Sequence, residues 1–177
     1  MSSSSSPISV TVLISGNGSN LQALIDKTSA GQLPIEIVRV ISNRKDAFGL
    51  ERARRASIPT AYHNLVKYKK QQPATPEGVQ AAREEYDADL AKLVLQDSPG
   101  LVFCLGFMHV VSPRFLGPLE EVSLNIINLH PALPGAFNGV VCCIFSFFFF
   151  NTTLPFPFLC FIYEYLLIHS YSVIECH

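Results

Sequence analysis

The chain has 177 residues, 49% of them hydrophobic, with 13 Lys and Arg against 14 Asp and Glu. That length suits one domain with a real core, and a net charge of −1 excludes the long-range positive field of a nucleic-acid or anionic-membrane binder. The five cysteines (104, 142, 143, 160 and 176) form no CxxC pair, and no signal-peptide pattern precedes Pro7; zinc-ribbon and disulfide-scaffold classes are excluded, and a reducing, cytoplasmic setting is expected.

Ser2 to Ser6 is a serine run that reads as a solvated tail over residues 1–7. Ser9–Ser15 (SVTVLIS) is β-branched and nearly all apolar, as a buried strand requires. A Gly16-Asn17-Gly18 turn comes next, and Ser19 or Asn20 is expected to cap a helix through Leu21, Leu24 and Ile25. Ile35–Ile41 is a second strand. A helix from Asp46 to Ser57 is expected to turn Phe48, Leu50, Ala53 and Ala56 inward before Pro59 stops it. Thr60–His63 reads as a short third strand and residues 64–76 as a loop. Pro76–Gln96 is a long amphipathic helix with proline in its first turn. Leu101–Leu105 and Leu124–Leu129 are further strands, the last closed by Pro131. Strands alternating with helices imply an α/β fold: a mostly parallel sheet with helices on both faces. Such sheets bind ligands at the C-terminal ends of their strands, where the strand order reverses.

Three segments lie at those ends. SGNGSN opens a helix with two glycines, so bare backbone amides and the helix dipole can seat a phosphate. Leu21 replaces the third glycine of a dinucleotide fingerprint, and no Gly-Lys-Ser/Thr is present as in a P-loop; on spacing alone a plain turn fits equally well. In GFMHVVSP, Gly106 allows a close backbone approach. Phe107, Met108, Val110 and Val111 offer apolar surface to a flat heteroaromatic ring, with His109 as one polar head. By itself that pattern also suits an ordinary strand end packed in the core. Asn128 and His130 lie two apart on a strand and so project from one face. An amide donor beside a group that titrates near neutrality can steady an oxyanion and move a proton. No metal-ligand set accompanies them, and no nucleophile elbow is present. Arg52, Arg54 and Arg55 read as a solvated helix face, and Glu84, Asp87 and Asp89 as surface charges.

Together, VLISGNGSNLQALID, ISNRKDAFGLERARRASI, AREEYD, LVFCLGFMHVVSPRFL and LNIINLHPALPGAFNG resemble the phosphoribosylglycinamide formyltransferases of purine (IMP) synthesis, most closely the fungal single-domain enzymes, over roughly residues 8–139. The resemblance implies a Rossmann-like formyltransferase fold. It also implies formyl transfer from 10-formyltetrahydrofolate, a co-substrate, to the amino group of glycinamide ribonucleotide, with no metal. Gly18, Ser19 and Asn20 match the segment that holds the substrate phosphate. Arg83, Met108, His109, Val110 and Val111 match folate-contacting positions, and Asn128 and His130 match the catalytic pair. A methionyl-tRNA formyltransferase is the alternative within the enzyme class, although near-neutral charge argues against an RNA partner. An inactive membrane-associated fragment is the alternative outside it.

The family pattern also has an aspartate some tens of residues beyond the histidine, the usual carboxylate that orients an imidazole. No Asp occurs after residue 97 here. Residues 140–177 contain no Lys or Arg and only Glu164 and Glu175 as acids, yet hold 8 of the 13 Phe and 4 of the 5 Cys. Their apolar run Val140–Phe150 is short for a membrane helix, and Asn151, Pro155 and Pro157 interrupt the apolar stretch beyond it. The segment therefore reads as translated non-coding sequence, such as a retained intron. The C-terminal part of the fold is then missing, and weak or no turnover is expected of the chain.

Overall fold

The computed structural model describes residues 6–129. Five strands form one parallel sheet: β1 (Ile8–Ile14), β2 (Ile35–Ser42), β3 (Thr60–Tyr62), β4 (Leu101–Leu105) and β5 (Asn125–Leu129). Their spatial order is β3-β2-β1-β4-β5. The chain winds outward from β1 in one direction, then returns and winds the other way from β4. The order therefore reverses between β1 and β4. The helices are α1 (Ser19–Ser29), α2 (Phe48–Arg55), α3 (Leu65–Lys69), α4 (Pro76–Leu95) and α5 (Pro113–Glu121).

Period-2 alternation sends neighbouring strand residues to opposite faces, and each face has its own core. Val10, Val12 and Ile14 of β1, with Leu101, Phe103 and Leu105 of β4, pack under α1 and α2 through Leu21, Leu24, Leu50 and Ala53. Leu13, Val102, Cys104 and Ile126 pack on the other face against Tyr86, Leu90 and Val94 of α4 and Phe115 and Leu119 of α5. Each fully buried Leu or Phe contributes about 1.5–3 kcal/mol, which is why parallel strands read as unbroken apolar runs.

The helices start where their caps dictate. Thr75 Oγ1 accepts from Gly78 N at 3.1 Å, with Pro76 in the first turn of α4. Ser112 and Pro113 repeat the arrangement at α5. Three expectations are corrected. Residues 64–76 are not all loop: Asn64 Oδ1 accepts from Val66 N at 2.8 Å, and Tyr68 buries its ring, so α3 forms there. Helix α2 begins at Phe48 instead of Asp46 and its inner face is Gly49, Leu50 and Ala53; Phe48 is 44% exposed, its ring against the Arg52 guanidinium, and Ala56 is exposed at the C-cap. Neither Ser19 nor Asn20 caps α1. The cap position is Gly18 at φ 71°, and no side chain bonds to the first turn.

Candidate active site

The β1–α1 turn is shaped by a backbone contact. Gly49 N–H on α2 donates to Gly16 O at 3.1 Å, and the two backbones come so close that a Cβ on Gly18 would sit 2.6 Å from Gly49 Cα. Gly18 also holds a left-handed φ, which L side chains reach only at a cost. The first turn of α1 is consequently left without a side-chain cap, and the amides of Ser19 and Asn20 begin the helix with its dipole behind them.

Arg52, expected to be a solvated charge, braces this turn. Its Nε donates to Asn17 O at 2.9 Å and its Nη1 to Gln22 Oε1 at 3.2 Å, while the guanidinium lies 4.8 Å from the Phe48 ring centroid. These partners are 35 and 30 residues away in sequence, so no local pattern foretold them.

Across the crossover, Ser15 at the end of β1 is buried, and its Oγ accepts from Met108 N at 2.7 Å. This bond ties the SGNGSN loop to the segment after β4. Gly106 has φ 69° and open space around its Cα, so it serves the turn and not a close approach. Beyond it Met108 is 62% and Val110 79% exposed, an apolar surface at the C-terminal end of β4, while Phe107 and Val111 pack against the α4–α5 core.

Helix α4 grips this segment from behind. Arg83 Nη2 reaches Val110 O at 3.4 Å. One turn later Asp87, expected at the surface, is wholly buried. Its Oδ1 accepts from His109 Nε2 at 2.7 Å and its Oδ2 from Ser112 N at 2.6 Å. His109 thus turns inward, its side chain 8% exposed. Burial alone would raise the Asp87 carboxyl, but the donors from His109 and Ser112 outweigh it and hold the group below the ordinary aspartate value. Behind it, His63 stacks on Tyr86 with centroids 4.4 Å apart and donates to Tyr86 O at 2.9 Å; burial lowers its imidazole despite that bond.

Asn128 is half-buried on β5 and pairs in register with Cys104, which pairs with Leu13 of β1. Asn128 therefore stands two strand spacings, about 10 Å, from the strand that carries the glycine turn. Cys104 beneath it is buried, and burial pushes its thiol up to about 12. His130 lies outside the described residues. Among the described residues, no cluster of three or more His, Cys, Asp and Glu could hold a metal ion, and no helix is long and apolar enough to cross a membrane.

Comparison with known proteins gives the same set of loops a lineage. The phosphoribosylglycinamide formyltransferase of Schizosaccharomyces pombe is 54% identical over 134 residues, covering 75% of this chain and 62% of its own length. That of Saccharomyces cerevisiae is 47% identical over 133 residues, covering 73% and 61%. Among solved structures, glycinamide ribonucleotide transformylase 1 from Symbiobacterium toebii superposes with a TM-score of 0.60 at 35% identity, covering 76% of this chain and 56% of that one. The chain thus spans about three fifths of the length of the curated relatives it matches. Residues 8–145, most of the chain, match the family model described as formyl transferase. On that match the chain, whose parallel sheet reverses its order between β1 and β4, belongs to the formyl transferase family.

Proposed function

We propose that the chain carries the substrate seats for formyl transfer from 10-formyltetrahydrofolate to the amino group of glycinamide ribonucleotide, a step of purine synthesis, with the weak or absent turnover expected where the aspartate of the family pattern is not found. The observation that carries the reading is the Ser15–Met108 bond of 2.7 Å. It ties the glycine turn to an exposed apolar segment at the point where parallel sheets bind ligands.

In this reading the amides of Gly18, Ser19 and Asn20 receive the substrate phosphate. Met108 and Val110 offer apolar surface to the folate ring, and Arg83, His109 and Val111 shape that segment. The formyl donor supplies the electrophilic carbon. The substrate amine attacks it, the bond from that carbon to the folate nitrogen breaks, and the amine's proton passes to the leaving nitrogen. Asn128 donates to the formyl oxygen as charge builds on it, and His130 carries the proton. Holding both reactants in one cleft supplies much of the acceleration. Residues 140–177 are read as retained-intron sequence that takes no part, on their composition of 8 of the 13 Phe and 4 of the 5 Cys with no Lys or Arg, although the family match runs on to residue 145. Finding those codons in the dominant spliced message would overturn that boundary.

The test is ligand-induced stabilisation of the full chain. Glycinamide ribonucleotide and tetrahydrofolate should each raise the melting temperature, by the equivalent of about 2.7 kcal/mol at a hundredfold excess over Kd. A melting temperature indifferent to both would refute the reading.

A further inference from the structure

Asp87 is the one buried carboxylate among the described residues. A charge taken out of water needs dedicated partners, and both partners of Asp87 lie on one short segment, at His109 and Ser112. These bonds reach 22 and 25 residues along the chain and pin the segment at two points three residues apart. Between the pins stand Val110 and Val111. Ser112 is also the cap of α5, where its Oγ accepts from Arg114 N. The same carboxylate therefore sets where the segment ends and where the helix begins.

We propose that Asp87 is a positioning residue: through His109 and the Ser112 amide it latches the segment from Gly106 to Ser112, so that Met108 and Val110 hold the shape of a folate-ring shelf. The inference rests on the proposed function for the identity of the ligand, but the latch itself does not.

The latch explains why His109 faces inward although its neighbours are exposed. The imidazole is packed edge-on to Tyr86 at 4.9 Å and to Phe107 at 6.0 Å, which leaves its Nε2–H aimed at the carboxylate. Arg83, four residues before Asp87, reaches the same segment at Val110 O; positions i and i+4 share a helix face. A carboxylate accepts from both donors at once. Asn offers one acceptor and one donor, so Asp87→Asn breaks one of the two bonds.

Two measurements on the full chain test this. In hydrogen exchange, Asp87→Asn should speed exchange across residues 106–112 at least tenfold while leaving the β1–α1 turn unchanged; equal protection in the segment overturns the latch. In titration calorimetry, Asp87→Asn should weaken tetrahydrofolate at least tenfold and glycinamide ribonucleotide less than twofold; equal losses for both ligands would mean a general structural role and overturn the proposal. His109→Phe removes the imidazole bond alone, and the double variant should lose no more folate affinity than Asp87→Asn, because both act on one latch. Multiplying losses overturn action through His109. If Asp87→Asn does not fold, His109→Phe gives the same two readouts. A wild-type chain without affinity for tetrahydrofolate overturns the functional reading, and the exchange experiment still decides the latch.

Discussion

The two loops that meet at the crossover are held by opposite means. The β1–α1 turn is set by backbone touching backbone: Gly49 N–H on Gly16 O, and a Gly18–Gly49 approach that leaves no room for a Cβ. The segment after β4 hangs from side chains: the buried carboxylate of Asp87, the hydroxyl of Ser15 and the guanidinium of Arg83. The backbone contact itself carries no charge, and the charged side chain beside it, Arg52, makes partly exposed bonds. The second loop depends on charge, so it responds to protonation and to single side-chain changes. A phosphate needs amides fixed in advance, whereas a ring shelf needs only its edges held.

Breaking the backbone contact should have the largest effect. Gly18→Ala adds a Cβ 2.6 Å from Gly49 Cα at a left-handed φ. Strain and overpacking together should destabilise the chain by about 2–5 kcal/mol, a fall of roughly 4–20 °C in melting temperature. An unchanged melting curve would mean that the turn is adaptable, and the contrast between the loops would fail.

Asp87→Asn comes next, at about 1.5–3 kcal/mol for a lost hydrogen bond to a charged group, and it should also alter the acid limb. Asp87 is held below its ordinary value of 3.8 by His109 and Ser112 against its own burial, so it contributes stability that is complete above that value and lost as pH falls through the lowered one. His63, lowered by burial from 6.5, likewise contributes stability that is lost as pH falls below 6.5. Chemical denaturation of the wild type from pH 7 to pH 3 should therefore decline first through His63 and then through Asp87. In Asp87→Asn the lower step should shrink to the part that Asp89, held below its ordinary value by Lys92 and Tyr68, still contributes. If the lower step keeps its full size, Asp87 does not carry the charge that holds the segment.

How much of the molecule is legible in its sequence depends on which contacts are local. The strands are legible because burial on both faces writes continuous runs such as VTVLI and LVFCL. Both loops are legible as candidates because glycines and strand ends punctuate them. Helix α3 escapes a sequence reading because five residues carry no period; its signal is Asn64 in the cap position. Asp87 reads as a surface charge from composition, yet it lies in phase with Leu90, Ala91 and Val94, the buried stripe of α4, and that phase is the available clue. The N-cap of α1 goes to Gly18 in place of Ser19 because the distant Gly49 imposes the turn. No window of sequence around residue 18 contains that fact.

Arg52 offers the finest test, because it is the one side-chain brace on the loop otherwise set by backbone. Its bonds to Asn17 O and Gln22 Oε1 are partly exposed, so Arg52→Ala should destabilise the chain by only about 0.5–1.5 kcal/mol. Arg52→Lys keeps the charge but not the planar fork that spans two acceptors, and it loses the stacking on Phe48. If the glycine contact alone fixes the turn, both variants should bind glycinamide ribonucleotide within a fewfold of wild type, with Lys closer to wild type than Ala because a positive charge still stands near the proposed phosphate seat. If instead Arg52→Lys and Arg52→Ala lose affinity equally and by tenfold or more, the guanidinium fork shapes the turn. The two loops would then share one design, each suspended from a charged side chain on the neighbouring helix.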